Sequence, residues 1–167
     1  MKKLVLLLLM FAPLTMFAQK FGHVDLETVM KGMPEYTKAT TELQALQKQY
    51  TDELKSMEDE IQKKGEEYQK AEQADPKMPE NIKKRHTDDL QSLYQKYQQA
   101  QQDDAQAFQK AQQDKMAPVQ SKMIDAIKAV GEAGGYTYIM QSGSLPYIST
   151  TLSKDLTTEV KTKLGIK

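Results

Sequence analysis

The chain has 167 residues, a formal net charge of zero and no cysteine, and hydrophobic residues make up 39% of it. Without cysteine it can have no disulfide, cysteine-bound metal or thiol chemistry. The balanced charge argues against nucleic acid as a partner, because phosphate binding needs a basic excess; setting aside Lys2 and Lys3 leaves 21 basic against 23 acidic side chains.

Residues 1–18 read as a cleavable signal peptide. Met1-Lys2-Lys3 supplies the positive start, Leu4 to Phe11 the apolar run, and Thr15-Met16-Phe17-Ala18 the cleavage region. The run is too short, and too soon interrupted by Pro13, to span a membrane. The expectation is export to the periplasm, with a mature chain starting near Gln19.

Phe21-Gly22-His23-Val24-Asp25-Leu26 alternates apolar and polar residues and predicts a short strand. Asp25 is placed to cap a brief helix that holds Val29 and Met30 and ends at Gly32. Pro34 and Glu35 then suit the first turn of a second helix, where the missing proline N–H leaves no bond unmade.

From Pro34 to Val130 two Gln- and Lys-rich stretches flank one break, Asp75-Pro76-Lys77-Met78-Pro79-Glu80-Asn81. Two prolines that close together end a continuous helix. The reading is a helical hairpin over 34–118 with its tip at about 75–81. The outgoing helix places Leu43, Leu46, Tyr50, Leu54, Met57, Ile61 and Tyr68 on one stripe, with Leu43 to Leu54, Leu46 to Met57 and Tyr50 to Ile61 each 11 apart. On the return, Tyr97, Phe108, Val119 and Val130 repeat that interval. An 11-residue repeat is about 3.67 residues per turn, so the seam runs nearly straight or coils slightly to the right.

A turn centred near Lys77-Met78 brings Ile61 against Tyr94, Met57 against Tyr97 or Gln98, Tyr50 against Ala105 and Leu46 against Phe108. At 1.5 Å per residue each arm is about 60 Å long. Acidic runs such as Glu58-Asp59-Glu60 lie among lysines and read as solvated helix faces. Gln98 to Gln113 is rich in Gln and Ala, so little fixes its packing, and Gly65 is a poor helix former. The tip gathers Lys77, Lys83, Lys84 and Arg85 beside Asp75, Glu80 and Asp88. That cluster reads either as helix-end solvation or as a contact for a membrane surface or an acidic client.

Pro118 is expected to interrupt the return. Beyond it Met123, Ile124, Ile127 and Val130 form a denser apolar stripe, ended by Gly131 and Gly134-Gly135. Tyr136 to Met140 predicts a strand, Leu145-Pro146-Tyr147-Ile148 a second, edge strand, and Asp155 to Leu164 a last helix capped by Ser153 or Asp155 and stopped by Gly165. Residues 19–33 with 119–167 would then make a small α/β body. Its candidate oligomer-forming residues are Phe21, Val24, Leu26, Tyr138, Ile139, Tyr147 and Ile148. A body of about 65 residues with unpaired strand edges is marginal alone, and self-association is the natural remedy.

Chemistry is sparse. His23 and His86 are the only histidines and belong to different elements, Gly131 to Gly135 lacks the residues of a phosphate loop, and Ser142 and Ser144 sit in no nucleophile elbow. An enzyme, a cofactor and a metal are not expected.

The order of short motifs resembles the Skp/OmpH family of periplasmic chaperones. It is carried by Gly22-His23-Val24-Asp25 with Val29, by Met33-Pro34-Glu35-Tyr36, by Met116-Ala117-Pro118-Val119 with Ala126-Ile127, by Gly134-Gly135-Tyr136-Thr137-Tyr138-Ile139, and by Asp155-Leu156-Thr157-Thr158-Glu159-Val160. The resemblance implies an α+β fold in which a coiled-coil arm projects from a small sheet body with a C-terminal helix. It also implies a homotrimer whose arms hold unfolded outer-membrane β-barrel proteins without ATP. The familiar members are strongly basic and this chain is not, so charge-driven capture does not carry over. The competing expectation is a structural or adaptor coiled coil of the cell envelope, with the arm as a spacer.

Overall fold

The structure is a computed structural model that describes residues 19–166; the expected signal segment lies outside the described residues. The chain divides into two compact units. One comprises the described residues up to Val29 together with those from Ile124 onward, and the other is Met30–Met123.

In the first unit, three strands form a sheet in the order β2-β1-β3, where β1 is Lys20–Val24, β2 is Tyr136–Gln141 and β3 is Ser153–Asp155. Both pairings are parallel: Phe21 lies opposite Tyr138 on one side and opposite Ser153 on the other. A bulge between Lys20 and Phe21 shifts the β1–β2 register. The C-terminal helix, Thr157–Leu164, docks on β1, and the Leu156 N–H donates to the His23 carbonyl at 2.8 Å. Gly22 is what lets them meet so closely, since a Cβ there would lie 2.5 Å from Leu156 Cδ1. Val24, Val29, Leu156 and Val160 are each at most 2% exposed and form the core. Burying each is worth about 1.5–3 kcal/mol.

Local signals close these elements. The short helix Leu26–Gly32 (α1) is capped by Asp25, whose carboxylate accepts the Thr28 N–H at 3.1 Å. Asp155 accepts both the Thr157 N–H, at 2.9 Å, and its hydroxyl, at 2.6 Å. These two bonds hold the Asp155 carboxyl below its ordinary value, the hydroxyl contributing most. Gly165 ends the C-terminal helix in the left-handed region at φ 73°, which costs glycine nothing.

Two expectations fail here, the strand at 145–148 and the start of the last helix at Asp155, which lies in β3 while the helix begins at Thr157. Leu145–Ile148 is no strand: the chain leaves β2 through a single 3₁₀ turn, Ser142–Ser144, and stays irregular until β3. Leu145-Pro146 denies that segment a regular ladder, because proline has no N–H to give. The third strand is instead the polar Ser153–Asp155.

The second unit is an antiparallel helical hairpin. Its outgoing helix is α2, Pro34–Ala74, and its return belongs to α3, Glu80–Gly134. Pro34 begins α2 as expected. The turn is held by the Met78 N–H on the Asp75 carbonyl and the Lys77 N–H on the Asp75 carboxylate, both 3.0 Å; the Pro79 carbonyl then accepts the Ile82 N–H at 2.9 Å.

Pro118 does not interrupt the return, which corrects the third expectation: α3 runs through it to Gly134. A proline inside a helix removes one backbone bond and costs about 3 kcal/mol. Pro118 itself is exposed, whereas Val119 and Met123 just beyond it are 2% and 5% exposed.

Candidate functional site

Two surfaces could act on another molecule, the hairpin arm and one face of the sheet. Each belongs to its own unit.

Along the arm, cross-helix pairs fix the register. Glu35 pairs with Lys122, Glu42 with Lys115 and the Tyr68 hydroxyl with Asp89, and each of these pairs centres between Met78 and Pro79, one residue past the expected Lys77-Met78. Lys122 and Lys115 hold the carboxyls of Glu35 and Glu42 below their ordinary values, chiefly by hydrogen bonding. Nearer the tip the Tyr68 and His86 rings stack at 4.1 Å, and Glu72 Oε1 lies 3.5 Å from His86 Nδ1. The Asp89 bond raises the Tyr68 phenol above its usual value.

The seam residues share one stripe but few are sealed off. On α2, Ala39, Leu43 and Ile61 are buried, while Leu46, Tyr50, Leu54, Met57 and Tyr68 are half-buried. On α3, Tyr97 and Phe108 are half-buried, and Tyr94 keeps 54% of its surface exposed. Tyr94 and Tyr97 do reach Ile61, with Glu58 and Gln62, around an open groove of about 300 Å³. Ala105 is exposed; the stripe there passes through Ala100, Asp104 and Ala111 instead. Asp104 is the seam residue that apolar spacing could not reveal.

At the tip, two of the four cationic residues are engaged along their own helix. Lys83 pairs with Glu80 at 3.2 Å and Lys84 with Asp88 at 3.1 Å, while Lys77 and Arg85 are exposed. They lie within a stretch of nine residues, beside acids that offset them.

On the sheet, Phe21 and Tyr138 stack with ring centroids 6.3 Å apart. Together with Met140, Leu145, Tyr147, Ile148 and Leu152 they line an open apolar hollow of about 190 Å³. Tyr147 is 80% and Tyr138 64% exposed. Parallel sheets ordinarily have both faces covered, and this one has a bare aromatic face. The other candidate body residues differ: Val24 is core, and Leu26 and Ile139 are half-buried. His23 contacts Ser153 Oγ through Nδ1 at 2.9 Å, tying β1 to β3. Among the described residues no cluster of three metal-ligating side chains occurs, and no helix is long and apolar enough to cross a membrane.

A long, sparsely sealed helical hairpin and a small parallel sheet closed by a C-terminal helix define an α+β protein of the helical-arm class. The sequence model of the family described as "Outer membrane protein (OmpH-like)" matches residues 20–164, nearly all of the described chain. The chain belongs to the OmpH-like family. Among solved structures it is similar to a protein from Caulobacter crescentus CB15, whose assignment as an "outer membrane chaperone (OmpH-like)" is itself a proposal. The two share the fold at a TM-score of 0.72 with 12% identity, over 87% of this chain and 83% of that one. No curated protein matches the sequence.

Proposed function

We propose that the protein is an ATP-independent holdase. It binds unfolded outer-membrane β-barrel proteins in the periplasm and keeps them from aggregating before insertion. In this reading residues 1–18 direct export, the body 19–33 with 119–167 joins three copies, and the arm 34–118 does the holding. No catalysis is involved. Lys77, Lys83, Lys84 and Arg85 are at most an auxiliary contact with a membrane surface or an acidic client.

The observation that carries the proposal is the arm's seam. Its aromatic and aliphatic side chains are half-buried along most of its length, so they can make many weak contacts, which suits a client with no fixed shape. Family membership supports the same reading. The bare face around Phe21, Tyr138 and Tyr147 supports self-association of the body, because exposed apolar patches of this kind mark interaction surfaces.

The test is dilution of a urea-unfolded outer-membrane β-barrel protein into buffer without ATP, with aggregation followed by light scattering. Suppression at near-stoichiometric ratios is expected. Absence of suppression at any ratio would refute the holdase and return the arm to a spacer role, for which a fixed folded partner should crosslink at the tip.

A further inference from the structure

The arm is fastened at its two ends and not in its middle. At the base, Glu35–Lys122 and Glu42–Lys115 join the helices, and towards the tip the Tyr68–Asp89 bond and the stack of Tyr68 on His86 do the same. Between them, among the described residues, no hydrogen bond or ion pair crosses from 43–67 to 90–114. The polar contacts there run along one helix: Lys48–Asp52, Lys55–Asp59, Gln62–Glu66 and Lys64–Glu67 on α2, and Gln99–Asp103 on α3.

Apolar packing adds little closure there, and no more towards the tip. Between Leu43 and Ile61 no α2 residue is buried, and α3 buries nothing before Val119. On the seam stripe stands Asp104, half-buried, with Oδ2 shut off from solvent and without a hydrogen-bond partner. Glu35 Oε2 and His86 Nδ1 are shut off in the same way, but Glu35 still pairs with Lys122 and His86 still stacks on Tyr68, whereas no hydrogen bond or ion pair of Asp104 reaches α2. Leaving a buried carboxylate oxygen unsatisfied destabilises the closed seam, and opening returns it to water. Few buried contacts and an unsatisfied polar group are the physical marks of a segment that opens locally.

We propose that the middle of the arm, residues 46–57 against 97–111, opens while both ends stay joined, and that opening presents Leu46, Tyr50, Tyr97 and Phe108 to an unfolded chain. The presentation rests on the holdase reading; the opening does not. Asp104 sets the balance, because it weakens the closed state at the place where the aromatic side chains lie.

Hydrogen exchange on the full chain without client tests the opening. Amides of 97–111 should exchange at least about tenfold faster than those of 119–123 and of 86–90. Uniform protection along α3, or slowest exchange in its middle, would overturn the proposal. Asp104→Leu should slow the middle by about tenfold or more and raise the amount of protein needed to suppress client aggregation. Slowed exchange with unchanged holding would overturn the presentation step. Should Asp104→Leu associate through its new apolar group, Glu42→Gln gives a second reading: fast exchange should spread from the middle towards 115–119, and an unaltered profile would count against the scheme. If the wild type holds no client yet its middle exchanges fast, the holdase reading falls and the opening stands.

Discussion

The two units of this molecule are specified in different ways. The sheet unit concentrates its stability in a few sealed side chains, Val24, Val29, Leu156 and Val160, with Gly22 cut to fit Leu156. The arm spreads a thin seam over two long helices, and most of its apolar residues stay half-buried. The difference teaches that one element is fixed by a dense core and the other is held by a thin seam. Dense packing makes each core residue costly to change, whereas a thin seam tolerates change.

The largest effect should come from breaking the sealed unit. Leu156→Ala removes a 1%-exposed side chain and should cost about 2–5 kcal/mol. Urea denaturation followed by near-ultraviolet circular dichroism of the tyrosines checks it, and a loss as small as that of a half-buried seam residue would erase the contrast. Next, Gly22→Val must push against Leu156, since even a Cβ meets it at 2.5 Å; overpacking of this kind costs about 1–3 kcal/mol.

The arm should respond weakly, and in one case favourably. A Cβ at Gly65 has nothing within 4 Å, so Gly65→Ala should stabilise α2 by about 0.5–1 kcal/mol. Thermal unfolding monitored at 222 nm measures it, and destabilisation would mean the arm is packed more tightly than its exposure indicates. The smallest effect is acid sensitivity at the base. Lys122 and Lys115 lower the carboxyls of Glu35 and Glu42 in the folded state, so their contribution is present above the ordinary glutamate value of 4.5 and is lost as pH falls below it through the folded values. Both groups are open to solvent, so the loss should be slight. Glu35→Gln should flatten that part of the stability–pH curve below pH 4.5, and an unchanged slope would show that the pair adds nothing.

Much of the fold can be read from the chain because the signals are local. Asp75 to Asn81 stops one helix and starts another, Asp25 caps its helix, and the position of the turn brings Ile61 near Tyr94. What is not legible depends on distant partners. Pro118 looks like a breaker until the burial of Val119 and Met123 is known. Ser153-Lys154-Asp155 has no apolar alternation and becomes a strand because β1 offers it an edge. Leu145 to Ile148 has the right composition for a strand and no ladder to join. Asp104 escapes apolar spacing because it is a carboxylate in an apolar register. The bare face of Phe21, Tyr138 and Tyr147 follows residues named from sequence, although the proposed copies that would cover it are written nowhere in a single chain.

The central claim is that the sheet unit assembles copies so that their arms can hold an unfolded client. Its most direct test is the mass in solution, by light scattering after size exclusion, with and without a denatured outer-membrane β-barrel protein. The account predicts a trimer alone and a single, heavier complex containing one client. A monomer whose mass ignores the client would contradict it.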